Sequence, residues 1–332
     1  MRTIEWRGDH AVLVDQTVLP EEVAFLEVRD VDTMIDAIRR LAVRGAPAIG
    51  VAGAFAVALA AQQAERDGLG PDHVRAEAER VRGARPTAVN LAWAVDRVLA
   101  RLADGVAALV AEAAAMAEED VAANRRLGAR GADLLEELGV VPARLHTHCN
   151  TGGLAAVEWG TALGIARELH DRGELVSVTL DETRPLLQGS RLTAFELDRL
   201  GIEHRVVVDG AGPSLIARGL VDAVVVGADR IAANGDVANK IGTYPLALAA
   251  ARAGIPFVVG APESTLDLAT TTGSDIEIEE RAEEEVLSFA GRRVAPAGSR
   301  ALNPAFDVTP ADLVTAVVTD QRVIRPASGE RP

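Results

Sequence analysis

Arg144-Leu145-His146-Thr147-His148-Cys149-Asn150-Thr151-Gly152-Gly153 is the stretch on which the reading of the fold turns. The run that ends at Cys149 reads as a short buried strand, the paired glycines break it, and a helix is expected from there to about residue 170. Downstream the alternation repeats. Strands are expected at 175–180, 204–208, 223–226 and 256–260, and helices at 193–200, 213–219 and 244–253. Short apolar strands alternating with helices imply right-handed βαβ units and a mostly parallel sheet flanked by helices. Upstream, residues 1–28 alternate weakly and predict short antiparallel strands. Helical spacing then covers 31–43, 48–64, a segment after Pro71, a segment opened by Pro86 and a long stretch at 105–138. Pro47 suits the first position of its helix, where a missing N–H costs nothing. The pattern changes near Val140, so the expected division is a mainly helical N-terminal domain with a small β region (1–130) and an α/β C-terminal domain (131–332).

Composition narrows the function. The chain has 332 residues, 48% hydrophobic and 25% charged, which are values for a globular protein with enough length for two cores. A single cysteine excludes an intramolecular disulfide framework and any multi-cysteine metal site, and it suits a reducing cytoplasm. The first residues show no signal-peptide apolar core, and the apolar stretch at 49–61 reads as too short to span a bilayer. The formal net charge of −15 argues against nucleic acid as a partner, but it leaves room for a small phosphorylated ligand held by a local positive site. Basic charge is almost all arginine. Lys240 is the one lysine, as Cys149 is the one cysteine and Tyr244 the one tyrosine. In a chain so biased, a residue type that survives once is a candidate for a task its substitute cannot perform.

In open α/β sheets, ligands sit beyond the carboxyl ends of the strands. Cys149 stands at the first such end, and a thiol facing the N-terminus of the expected helix would sit in a field that favours thiolate. A lone cysteine is also commonly a small buried hydrophobe. His146 and His148 share the strand face opposite the thiol, so no local Cys–His dyad is expected. After the second strand come Asp181, Glu182, Arg184, Gln188 and Arg191. An acid there binds ribose in dinucleotide enzymes, but no G-x-G-x-x-G follows the first strand, so no such cofactor is expected. The plain alternative is a solvent loop in which Asp181 and Glu182 pair the two arginines. Asp229 emerges from the strand at 223–226, where partial burial would raise its pKa and suit it to general acid work; pairing with Arg230 is the plain alternative. Asn239-Lys240-Ile241-Gly242-Thr243 opens a helix, and its donors would collect around an anion. Arg44 and Arg85 each stand before a proline-initiated helix, which makes each a candidate phosphate seat. The acidic run 277–285 reads as a solvated face, because consecutive carboxylates do not converge on a metal.

Arg44-Gly45-Ala46-Pro47-Ala48-Ile49-Gly50, Arg85-Pro86-Thr87-Ala88-Val89-Asn90-Leu91, His148-Cys149-Asn150-Thr151-Gly152, Asp181-Glu182-Thr183-Arg184-Pro185 with Gln188-Gly189-Ser190-Arg191, and Gly227-Ala228-Asp229-Arg230 with Asn239-Lys240-Ile241-Gly242-Thr243-Tyr244 form an ordered set. Together they resemble the 5-methylthioribose-1-phosphate isomerases, a methionine-salvage family related to the regulatory subunits of translation initiation factor 2B. The resemblance implies a cytoplasmic, homodimeric aldose–ketose isomerase with a Rossmann-like C-terminal domain, no cofactor and no metal. Carried over motif by motif, Cys149 and Asp229 are the expected catalytic pair. Arg44, Gly45, Ala46, Arg85, Gln188, Asn239 and Lys240 are the expected substrate-binding residues. A sugar carrying phosphate on C1 has no free aldehyde, so its ring must be opened by an acid at the ring oxygen before hydrogen moves from C2 to C1. Two alternatives share these motifs: isomerisation of a related sugar 1-phosphate (5-deoxyribose 1-phosphate or ribose 1,5-bisphosphate), and a non-catalytic regulatory subunit. Trp6, Phe55 and Trp93 are candidate walls for the C5 substituent.

Overall fold

The computed structural model of the chain describes residues 1–85 and 88–332. Pro86 and Thr87, and with them the expected helix start at Pro86, lie outside the described residues. The chain divides into two compact units, Met1–Arg126 with Thr151–Gly164 and Leu127–Asn150 with Ile165–Pro332. The segment that follows Cys149-Asn150 therefore belongs with the first unit.

The first unit opens with an antiparallel sheet of β1 (Ile4–Arg7), β2 (His10–Val14) and β3 (Phe25–Val28), in register Ile4↔Leu13 and Ala11↔Val28. Helices α1 (Val31–Arg39), α2 (Ala46–Asp67), α3 (Pro71–Arg82), α4 (Val89–Leu99) and α5 (Val106–Glu137) follow, and the part of α5 past Arg126 belongs to the second unit. The carboxylate of Asp30 caps α1 by accepting the Thr33 N–H. The helix expected at 31–43 stops at Arg39, and Leu41 turns to φ 63°. Pro47 lies in the first turn of α2, as its sequence context demands, and Gly68 ends that helix in the left-handed conformation. Small residues let α2 and α4 approach closely: a methyl on Gly53 would come 2.4 Å from Leu91 Cδ1. By length and composition α2 alone among the described helices could cross a membrane, but 78% of its apolar window is buried inside the protein, the mark of a core helix.

The rest of the chain runs β4 (Ala143–Thr147), α6 (Ala162–Asp171), β5 (Leu175–Asp181), α7 (Ala194–Arg199), β6 (His204–Val207), α8 (Gly212–Ala217), β7 (Ala223–Val226), β8 (Arg230–Ala232), β9 (Val237–Lys240), α9 (Thr243–Ala253), β10 (Phe257–Gly260), β11 (Leu266–Asp267), α10 (Glu284–Leu287), β12 (Ser288–Phe289), β13 (Arg292–Arg293), β14 (Phe306–Thr309), β15 (Ala316–Val318) and β16 (Val323–Ile324). The main sheet has the order β6-β5-β4-β7-β10-β15-β16. All its pairs are parallel except β15–β16, so the mostly parallel sheet is confirmed. Its core is apolar, with Val224, Val226, Phe257, Val259 and Val317 all within 1% of full burial. A smaller sheet, β11-β8-β9-β14, stands beside it in the chain.

One expectation is corrected. No α-helix follows Gly152-Gly153 directly: a single 3-10 turn spans Gly153–Ala155, the chain runs irregularly to Thr161, and α6 begins at Ala162. After Asp229, 230–240 folds into the β8–β9 hairpin. The tail past 271 also holds strands that its short apolar runs did not announce.

Candidate active site

Strand order fixes where the site falls. From β4 the chain builds outward through β5 and β6, then returns to place β7 on the other flank of β4 and continues through β10 and β15. The direction of growth reverses between β4 and β7, and a crevice opens at such a reversal beyond the carboxyl ends. Cys149 leaves β4 two residues past its end, and Asp229 leaves β7 three residues past its end. The two residues singled out for chemistry thus come from neighbouring strand ends at the switch point.

Cys149 is 6% exposed and adopts φ 63°. Its N–H donates to Thr183 Oγ1 at 2.9 Å, and its carbonyl accepts from Thr193 Oγ1 at 2.6 Å. Thr183 (φ 63°) and Leu187 (φ 59°) hold the same uncommon left-handed backbone. Left-handed non-glycine residues cost energy, and they collect where surroundings over-determine them, commonly at functional sites. Because α6 starts only at Ala162, the expected helix N-terminus facing the thiol is not there.

Asp181, 1% exposed, does not sit in a solvent loop. Its Oδ2 lies 2.8 Å from His148 Nδ1, and its Oδ1 lies 3.3 Å from His146 Nε2, close enough for attraction though not aligned as a hydrogen bond. Burial opposes ionisation of this carboxyl, and the two histidines overcome it, holding Asp181 below the ordinary aspartate value. Arg184 is spent elsewhere: it donates to the carbonyls of Pro185, Glu285, Val286 and Ser288 and stacks on Phe289. Asp209, which sequence reading missed, accepts the Thr183 and Arg184 N–H groups. His148, Asp181 and Asp209 bring possible metal-ligand atoms within 4.8 Å of one another, a grouping invisible in sequence. Their hydrogen bonds, His148 to Asp181 and to the Ile241 carbonyl and Asp209 from the Thr183 and Arg184 N–H groups, make the arrangement a polar brace.

Gln188 is 7% exposed, and its buried Oε1 accepts no hydrogen bond among the described residues. It stands just before a π-helical turn, Gly189–Thr193, a local widening that recurs at functional sites. A buried amide oxygen without a donor is costly in a bare fold and is explained when a ligand supplies the donor.

Asn239 and Lys240 close β9. Asn239 is 3% exposed and donates to Thr243 Oγ1 at 3.0 Å. Lys240 Nζ donates to the Ala305 carbonyl at 2.8 Å and lies 4.5 Å from the centre of the Phe306 ring, a cation–π contact that a compact ammonium fits. The start of α9 does gather an anion, but the chain supplies it: Asp307 accepts the Gly242 N–H at 2.8 Å and the Tyr244 N–H at 3.1 Å. Burial pushes Asp307 above the ordinary aspartate value against the pull of those two amides. Reading this helix start as a ready anion seat is therefore corrected. Arg230 lies 3.6 Å from Asp267, and Asp229 itself is half-buried.

Arg44, Gly45, Ala46 and Arg85 belong to the first unit. Gly45 is the N-cap of α2, with Arg44 ahead of it and Ala46 as its first residue. Arg85 follows α3 directly before the undescribed pair. Of the candidate C5 walls, Phe55 is 1% exposed in the core with Trp6 packed 5.4 Å from it, and Trp93 is 46% exposed beneath Arg97.

Comparison with known proteins shows the family. The model of the initiation factor 2 subunit family matches residues 42–326. A methylthioribose-1-phosphate isomerase of Anaeromyxobacter sp. (strain K) is 56% identical over 94% of this chain and 90% of its own length. A probable bifunctional methylthioribose-1-phosphate isomerase/methylthioribulose-1-phosphate dehydratase of Nocardia farcinica is 56% identical over 99% of this chain, which spans 60% of that longer protein. Among solved structures, the 5-methylthioribose 1-phosphate isomerase of Pyrococcus horikoshii OT3 superposes with a TM-score of 0.88 at 41% identity, covering 98% of this chain and 92% of that one. The structure named translation initiation factor eIF-2B subunit delta from A. fulgidus gives 0.86 at 43% identity, covering 98% and 96%.

Proposed function

Because the chain belongs to the initiation factor 2 subunit family, we propose that it works as that family's methylthioribose-1-phosphate isomerase, an aldose–ketose isomerase of methionine salvage. The observation that carries the reading is the emergence of Cys149 and Asp229 from neighbouring strand ends at the switch point of the sheet. Asp229 donates a proton to the ring oxygen as the C1–O bond breaks, so the ring opens while phosphate stays on C1. The C2 hydrogen then moves to C1 and the hydroxyl on C2 gives up its proton to the Asp229 carboxylate, which restores the acid and leaves a ketone at C2 and a CH2 at C1. Cys149 serves this transfer either as the base that carries a proton from C2 to C1 or as the group that walls off water beside a direct hydride shift. Solvent deuterium found at C1 of the product marks the proton route. Gln188, Asn239 and Lys240 bind the substrate in this reading, with Gln188 Oε1 accepting from a sugar hydroxyl. Arg44, Gly45, Ala46 and Arg85 are assigned to substrate binding on their motifs. The enzyme is assigned to the cytoplasm and acts as a homodimer, which light scattering of the purified protein tests.

The deciding experiment incubates the pure protein with methylthioribose 1-phosphate and follows the ribulose 1-phosphate ketose. Conversion at an enzymatic rate is expected. Binding without conversion would instead support the regulatory role suggested by the name of the A. fulgidus relative. Ribose 1,5-bisphosphate and 5-deoxyribose 1-phosphate, run in parallel, test the substituent at C5.

A further inference from the structure

The His148 ring has acceptors at both nitrogens. Nδ1 lies 2.8 Å from Asp181 Oδ2, and Nε2 lies 2.7 Å from the carbonyl oxygen of Ile241. A carbonyl has no hydrogen to give, so Nε2 carries one. The contact with Asp181 requires a second hydrogen, shared between ring and carboxyl, because otherwise a lone pair would face a carboxylate in a buried place. Both nitrogens are thus committed, and the ring has no site left to take a proton from substrate. Asp181 is braced on its far side by His146, whose Nδ1 lies 2.9 Å from Thr179 Oγ1. Gly212 closes over that pair: a methyl there would come 2.7 Å from His146 Nε2 and 3.1 Å from Asp181 Oδ1.

What the committed ring touches matters. Ile241 directly follows Asn239 and Lys240, and Cys149 directly follows His148. The ring also packs closely against the turn, since a Cβ on Gly242 would stand 2.7 Å from His148 Cε1; the turn takes φ 107°, and only glycine meets both demands. We propose that His148 is a positioning residue: braced by Asp181, its ring fastens the Asn239-Lys240-Ile241 segment to the strand end from which Cys149 departs. The proposal deepens the isomerase reading and shares its substrate in one arm of the test.

The test compares the full-length protein with His148→Ala and His148→Gln, the latter keeping a donor long enough to reach the Ile241 carbonyl. Loss of the fastening is expected to raise KM for methylthioribose 1-phosphate about tenfold in His148→Ala, with kcat within about threefold, and His148→Gln should recover at least about half of that rise on a logarithmic scale. A residue that only holds the fold together would lower the active fraction and the melting temperature without moving KM. Amide hydrogen exchange of 239–243 in the free protein supplies an arm independent of substrate, and it should speed up by about tenfold in His148→Ala. Unchanged KM with unchanged exchange in a folded His148→Ala overturns the proposal while leaving the isomerase reading intact. A wild-type protein that turns over nothing overturns that reading, and the exchange result then judges the fastening alone. Where His148→Ala fails to fold, His148→Phe, which keeps the bulk of the ring without a donor, decides: exchange of 239–243 at least about threefold faster supports the proposal, and a smaller change overturns it.

Discussion

Helix α2 and the carboxyl edge of the parallel sheet are both buried, and they are built on opposite principles. In α2 every residue from 48 to 61 is apolar and covered. At the sheet edge His146, His148, Asn150, Asp181, Thr183, Gln188 and Thr193 are covered as well, none more than 7% exposed. The helix is held by close approach of small groups, so an error there leaves a void and costs stability. The edge is held largely by directional hydrogen bonds, such as His148 to Asp181 and Cys149 to Thr183 and Thr193, so it fixes directions as well as positions, and an error there misplaces a reacting group. Burial alone therefore does not separate core from site; the polarity of what is buried does.

Mutations can break this contrast in order of expected size. Cys149→Ser and Asp229→Asn should each lower kcat by about a thousandfold or more. Denaturant unfolding should meanwhile shift by no more than about 1 kcal/mol. Near-normal turnover in either variant removes that residue from the mechanism. Leu59→Ala in α2 should do the reverse, costing about 2–5 kcal/mol of stability while the folded fraction keeps its kcat and KM. Gln188→Leu sharpens the point, because it replaces a buried oxygen that has no donor among the described residues. It should lower kcat/KM by about ten- to a hundredfold and leave the melting temperature unchanged or higher. A marked loss of stability would mean that Gln188 Oε1 is satisfied by the fold itself.

A smaller test concerns pH, where the two units carry carboxyls shifted in opposite directions. In the first unit, burial pushes Asp120 up to about 6 against hydrogen bonds from the Val157 N–H and Asn124; the residue keeps some exposure, but its carboxyl is enclosed. A raised aspartate binds its proton more tightly when folded, so its contribution is greatest at low pH and falls as pH rises from about 4 to about 6. Relative to Asp120→Asn, the wild type should lose at most about 3 kcal/mol across that window. Asp181 is lowered, so its contribution is present above the unfolded value near 3.8 and disappears as pH falls below it. Stability curves of Asp120→Asn and Asp181→Asn, each subtracted from wild type, should therefore slope in opposite senses on the acid side.

Much of this was legible in the sequence for a local reason. The strands β4, β5, β7 and β10 are short apolar runs bounded by turns, and α2 announces itself by Pro47 and Gly68, so near neighbours suffice to identify them. The motif around Cys149 was found where strand-end logic places it. The parts that escaped depend on distant partners. Asp307 fills the start of α9 from 65 residues away, and nothing near Gly242 in the sequence says so. The β8–β9 hairpin and β15 have only three or four residues each, too few for a period to register. The segment after Gly152 read as helix because its alanines favour one, yet its backbone is bonded elsewhere: Thr3 Oγ1 donates to Gly153 O and Gln16 Nε2 to Leu154 O. The lone lysine and the lone cysteine both proved to be held in place by specific neighbours. The lone tyrosine is 37% exposed, and nothing in the structure explains it.

That same segment has a consequence for how such a chain can change over generations. Residues 151–164 lie with the first unit although they are encoded in the midst of the second. Thr3, Gln16 and Asp120 all reach partners inside it. A recombination event that replaced 1–126 with the matching stretch of a distant relative would import new residues at 3, 16 and 120 and keep their old partners, the carbonyls of Gly153 and Leu154 and the N–H of Val157. Inheritance of the first unit as a working block needs two crossovers more than its place at the start of the chain suggests, so the two units should drift together and be exchanged only as a pair.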